Sequence, residues 1–299
     1  MEKISPVCPN TLVGRDPHEW NPKDFDDFLR ELESIISSCP GNSPLFRGHA
    51  CDEWLLDSTF VRNCKKILFD LEPHIRLNEE IQKSVEYHQV LFSLLLLKFD
   101  LLARPSDELQ DLENQEGIDA LFEFIKRCQQ YPDEDKCNLK GTFFLDWSQK
   151  KNVGLFFANY DANDNESKNR NGEGALFVCD QTATGKTFMR RNGEPRRVHE
   201  IIGLMLKANN QNKSFGCPLL FYPPKQIRNL RANRQDAIYW AQMDLRYNLE
   251  EIWRRQEKDN EYIFIKLVLP DGTQRECEDY LKKQSPPITH RYLFPLEES

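Results

Sequence analysis

A chain of 299 residues, 39% of them hydrophobic, can bury a substantial core without disulfide or metal staples, and one compact body is the simpler arrangement. Its formal net charge of -8 argues against broad electrostatic binding of nucleic acid, because affinity for a phosphate backbone comes largely from lysine and arginine displacing counterions. Nine cysteines without a Cys-x-x-Cys pair, and six histidines without matching spacing, argue against a zinc centre and for reduced thiols, so no metal is expected.

Residues 1–22 hold Pro6, Pro9, Pro17 and Pro22, and read as an irregular arm without a secretory signal pattern. A helix is expected from Lys23 to Ser37, ended by Pro40-Gly41-Asn42-Ser43-Pro44 before a first strand. From Leu55 to Ala103 apolar residues recur at three- and four-residue steps, which predicts two helices separated near Pro73 or Asn78. The longest apolar run, Val90 to Leu97, is far short of the roughly 20 residues that cross a bilayer, so a cytoplasmic protein with no membrane partner is expected. A third helix is expected from Gln115 to Gln130, then a polar loop, Pro132 to Asn138, that delivers a strand from Thr142 to Trp147.

Further on, Lys150 to Ala158 reads as a buried helix, and Asp161 to Gly174, almost without apolar residues, as a mobile surface loop. Ala175 to Cys179 is a buried strand. A hairpin around Arg191-Asn192-Gly193 and a helix from His199 to Lys207 are expected next, followed by an extended segment from Pro218 to Pro224. Ala237 to Met243 and Tyr262 to Leu269 read as strands, and Glu276 to Lys283 as a short helix. Helices dominate the first half and strands the second, an α+β pattern.

Two polar clusters end two of the apolar runs. Leu45-Phe46-Arg47-Gly48-His49 places a permanent cation beside a residue that lets a backbone or a ligand come close, which is how an anion site is built. Asp146-Trp147-Ser148 closes the second run and opens the helix that follows it. Two such clusters point to one site.

These residues carry a resemblance. Phe46-Arg47-Gly48, then Leu145-Asp146-Trp147-Ser148 with Val153-Gly154-Leu155-Phe156-Phe157-Ala158, then Arg231-Ala232-Asn233-Arg234-Gln235, then Ile288 to Pro295, resemble in their order the FRG domain, a mostly bacterial family. The resemblance covers about Pro44 to Pro295. It divides the chain into an N-terminal arm and helix, 1–43, and an FRG-like domain, 44–299, with a helical insertion around 62–131. The same order is distantly similar to ADP-ribosyltransferases, and implies a helical first half with mixed strands in the second half forming their split-sheet core. It implies NAD as cofactor and a macromolecular acceptor, protein, RNA or DNA, with a toxin or phage-defence role and an antitoxin or regulatory partner by analogy.

Cleaving the nicotinamide bond of NAD forms an oxocarbenium-like sugar, so an enzyme must hold the pyrophosphate and stabilise developing positive charge. On the resemblance, Phe46, Arg47, Gly48, His49, Trp147 and Arg231 bind the cofactor, with Arg47 on phosphate or ribose and Trp147 on the nicotinamide ring. Arg47, Asp146, Ser148, Gln235 and Asp236 form the catalytic set. Gln235 stands where an active transferase carries a glutamate, and this uncharged residue favours a non-catalytic nucleotide-binding or sensor domain as the alternative.

Each residue also has a structural reading. Arg47 also reads as one half of an ion bridge to Asp146, Trp147 as core, Ser148 as a helix cap, and Arg231, Arg234 and Gln235 as a solvated face. His49 is an acid-base group or a hydrogen-bonded histidine. Gly185-Lys186-Thr187 ends like a phosphate-binding loop, but Asp180 occupies the place of its first glycine, so a turn is expected. The cluster Arg190, Arg191, Arg196 and Arg197 is diluted by Glu194 and Glu200 and reads as a solvated hairpin, or as the place where RNA would bind.

Overall fold

The computed structural model describes residues 16–39, 43–103, 125–126, 128–129, 139–161, 168–181, 218–221, 230–257 and 262–295. Asp24, with extended backbone, accepts the Asp27 N–H and starts helix α1 (Phe25–Ser38). Its Phe28, Leu32 and Ile35 recur at helical spacing, and all three are buried. Just before it lies a two-residue strand, β1 (Glu19–Trp20), and after it β2 (Pro44–His49).

The helical stretch of the first half divides at both of its candidate breaks. Ser58 caps α2 (Thr59–Leu71), Pro73 opens α3 (Pro73–Arg76), and Asn78 caps α4 (Glu79–Gln82) before the long α5 (Val85–Ala103). The third predicted helix is described at 125–126 and 128–129, where it is helical. Strand β3 (Phe144–Ser148) then leads into α6 (Lys151–Asn159).

Strands β4 (Tyr160–Asp161), β5 (Lys168–Asn169) and β6 (Gly174–Asp180) follow, then β7 (Leu219–Phe221), α7 (Leu230–Gln235) and β8 (Ala237–Ala241). The chain continues with α8 (Leu249–Arg254), β9 (Phe264–Leu269), α9 (Gln274–Lys282) and α10 (His290–Leu293). Among the described residues the order β1-β9-β6-β2-β3-β8-β7 makes one seven-stranded sheet. The β1–β9 pair is parallel and the other pairs are antiparallel, so the fold is mixed α and β around a mixed sheet.

Register sorts the core. Phe46 pairs with Ser148 and Ser148 with Ala237, so Phe46, Phe144, Asp146, Ser148 and Tyr239 share one face. Over the β2–β6–β9 end of that face pack α1, α6 and α9, and over the β3–β8 end α2 and α5. On the other face Leu45, Leu145, Trp147, Phe177 and Trp240 close against Trp253 of α8. Helix α6 lies very close to β2. A Cβ on Gly48 would stand 2.1 Å from the Gly154 carbonyl oxygen, and one on Gly154 would stand 2.7 Å from the Phe46 Cβ.

Several expectations change. The arm holds a strand at its end, because two residues of β1 find their partners only across the sheet. The segment expected as a mobile surface loop contains β5 and the buried Arg170, whose guanidinium is bound by Asn159, Gly172, Pro270 and Thr273. An arginine with that many protein acceptors needs no solvent. Helices α7 and α8 were not anticipated. The predicted loop at 132–138, hairpin around Arg191, helix at His199–Lys207, Gly185-Lys186-Thr187 turn and cluster Arg190, Arg191, Arg196 and Arg197 lie outside the described residues.

Candidate anion-binding site

Strand alternation sends Leu145 and Trp147 of β3 into the core and leaves Asp146 on the opposite face. There Asp146 borders a cavity of about 330 Å3, at the small end of the range for ligand pockets. Thr59, Gly141 and Tyr239 form part of its wall, and Lys126, Gln129, Lys140, Arg231 and Gln235 supply its polar lining. Among the described residues three cationic side chains face one carboxylate, a formal excess of two positive charges.

The carboxylate is held at both oxygens. Lys126 Nζ lies 2.9 Å from Oδ1, and Gln129 Nε2 donates to Oδ2 at 2.8 Å. Burial works against ionisation, but Lys126, then Arg47 and Arg231, hold the carboxyl below its ordinary range. Lys126 also lies 4.2 Å from the centre of the Tyr239 ring, a cation–π contact that further fixes it.

Gln235 ends α7 at the cavity wall. Its Nε2 is buried and has no hydrogen-bond partner among the described residues, so one donor at the wall is left unmet there. The backbone around it is well tied. Ser148 Oγ donates to the Gln235 carbonyl at 2.6 Å and accepts the Lys150 N–H at 2.9 Å, while the Gln149 N–H reaches the Asp236 carbonyl at 3.2 Å. Asp236 turns the chain into β8 with a φ of 47°, and its side chain, 48% exposed, stands 3.9 Å from Lys150. Ser148 and Asp236 therefore brace the site without lining it. Ser148 precedes the Lys150 cap of α6 by two residues, and its hydroxyl steadies the turn into that helix.

None of Phe46, Arg47 and Gly48 is among the residues lining the cavity, and Arg47 meets its border at the Asp146 backbone. Phe46 is core beneath α6, and Gly48 is where α6 touches the strand. Arg47 Nη1 donates to the Asp146 carbonyl at 2.5 Å, and its Nε donates to His49 Nε2 at 3.0 Å. The bond to Asp146 runs to its backbone, where the ion-bridge reading expected the carboxylate. His49 Nδ1 lies 3.0 Å from the Trp54 carbonyl, so the ring donates at Nδ1, accepts at Nε2, and is neutral. Burial, with the Arg47 and Arg62 charges adding to it, pushes His49 well below its ordinary value. His49 therefore orients Arg47.

The remaining candidates divide. Arg231 lines the cavity, with its guanidinium 4.5 Å from the Phe294 ring, and Arg234 Nη1 donates to the Tyr292 carbonyl at 2.8 Å. The segment from Ile288 to Pro295 is thereby joined to α7, and the four motifs meet in one region. Trp147, 2% exposed, stands edge-on to Trp253 with ring centres 5.9 Å apart, away from the cavity. Lys126, Gln129 and Lys140 were missed in the sequence, since isolated lysines and glutamines carry no local pattern. Among the described residues no cluster of His, Cys, Asp and Glu has the arrangement of a metal site, and no helix is long and apolar enough to cross a membrane. No family model, curated protein or solved structure matches the chain.

Proposed function

We propose that the cavity binds a phosphate-bearing nucleotide, NAD on the FRG and ADP-ribosyltransferase resemblance, and that the chain transfers ADP-ribose to a macromolecular acceptor. The observation that carries the binding half is the excess of two positive charges, among the described lining residues, around a buried amide donor that none of them satisfies. Phosphate oxygens satisfy both. The transfer half rests on the order of the motifs. In that reaction the bond between ribose and nicotinamide breaks, the ring leaves with the bonding pair as neutral nicotinamide, and an acceptor nucleophile closes on the sugar and gives up its proton. Among the described lining residues Asp146 is the carboxylate that can face the developing cation. A toxin or phage-defence setting, with an antitoxin or regulatory partner, belongs to the same reading by analogy.

A second reading has its own support. Both oxygens of Asp146 are engaged by Lys126 and Gln129, and Gln235 carries no charge, which suits a domain that recognises a nucleotide without turning it over. Incubating the purified chain with labelled NAD and cell extract separates the two. The transferase reading expects labelled macromolecule and released nicotinamide, reduced about tenfold or more in Arg231→Ala, since a charged hydrogen bond contributes about 1.5–3 kcal/mol. Saturable NAD binding without nicotinamide release leaves the sensor reading standing, absence of NAD binding overturns the transferase reading, and absence of binding to NAD, ADP and AMP alike overturns both.

A further inference from the structure

Beside the cavity stand two arginines, neither of which is bonded to a carboxylate among the described residues. Arg62, on α2, sends Nη2 to Thr59 Oγ1 at a long 3.4 Å, while its Nη1 is buried and has no hydrogen-bond partner among the described residues. The bonds of Arg47 go to neutral acceptors, the His49 ring and the Asp146 carbonyl. Burial first, then the Arg62 charge, push Arg47 down to about 10, against the pull of Asp146. Arg62 is also lowered by burial, with Asp57 opposing.

Among the described residues the nearby carboxylates are committed elsewhere. Asp57 lies 2.6 Å from Lys65 Nζ and accepts from Gln242 Nε2 at 2.8 Å, and Asp146 is held by Lys126 and Gln129. Two like charges taken from water, one with an unmade hydrogen bond, are an unfavourable arrangement that an oxyanion relieves. A tetrahedral anion offers several acceptor oxygens to two guanidinium forks at once. Trp54, 37% exposed, adds a ring face 5.6 Å from the Arg62 guanidinium carbon, and its carbonyl anchors the histidine that orients Arg47. The arginine pair adjoins the cavity at Thr59 and Asp146, which belong to both.

We propose that Arg62 and Arg47 together bind a phosphoryl group beside Trp54, so that the ligand of this region carries a diphosphate. One phosphoryl group sits among Lys126, Lys140 and Arg231, and the second between the two arginines. The inference rests on the nucleotide reading of the cavity, and it adds Arg62 and Trp54, which lie outside every motif that suggested a site.

Thermal unfolding of the full chain in phosphate-free buffer, titrated separately with inorganic pyrophosphate, AMP, ADP and NAD, tests it. Pyrophosphate, ADP and NAD are expected to stabilise the wild type. Arg62→Gln is expected to weaken all three about tenfold or more while leaving AMP unchanged, since one charged hydrogen-bond set is lost. Pyrophosphate affinity equal in wild type and variant overturns the proposal, as does a wild type that pyrophosphate does not stabilise. If the glutamine variant does not fold, Arg62→Lys keeps the charge and loses the fork, and equal affinity there is equally fatal. Stabilisation by pyrophosphate that depends on Arg62, with none by the nucleotides, keeps the phosphoryl site and removes the nucleotide reading. Nucleotide binding indifferent to Arg62 does the reverse.

Discussion

His49 illustrates how a residue next to a conspicuous motif acts through its neighbour. It is buried, donates to a carbonyl and accepts from Arg47, so a proton added at Nε2 would remove that bond and place three cations together. Its folded pKa is depressed, whereas the unfolded chain takes a proton near 6.5. The stability that its neutral form contributes is complete above about pH 6.5 and is lost as the pH falls below it. Urea unfolding from pH 7.5 to 5 should show a falling midpoint, and His49→Gln should flatten that slope relative to wild type. Gly48 gives a sharper test. Because a Cβ there meets the backbone of α6 at 2.1 Å, Gly48→Ala should cost more than about 3 kcal/mol in chemical denaturation. The sequence left open whether this glycine admits a backbone or a ligand, and the packing of α6 decides for the backbone.

At the scale of elements, short helices organise the site although they carry little periodicity. α8 is nucleated by a capping box, with Asn248 Oδ1 accepting the Glu251 N–H at 3.0 Å and Glu251 Oε2 accepting the Asn248 N–H at 3.3 Å. It carries Trp253 between Trp147 and Trp240, with ring centres 5.9 and 5.7 Å away. Asn248→Ala should therefore lower stability by about 1–2 kcal/mol, seen as a lower melting temperature together with altered tryptophan fluorescence. That box, Asn-x-x-Glu ahead of Ile252 and Trp253, is legible in the sequence. α7 had no comparable signal. Its six residues are held by Ser148 from β3 and by the terminal segment, contacts that no local window contains.

For the whole molecule, the overall charge of -8 and the cationic lining of the cavity have opposite signs, so charge read from composition describes the surface at large and not this site. Affinity for an anionic nucleotide should consequently fall as sodium chloride is raised, because the cations line an open, partly solvated region. Titrations at several salt concentrations, with the melting temperature of the free chain as control, check this. By itself the sequence determined most of the long helices and strands, the apolar core positions and the four motifs. Caps, prolines and hydrophobic periods act within a few residues, so they can be read without knowing the partners. Long-range packing set which face of β3 carries Asp146 toward Lys126 and Gln129, why Arg47 turns to a carbonyl, and that Arg62 stands beside it. Those pairings depend on sheet register and helix packing between segments far apart in the chain, and no local pattern specifies them.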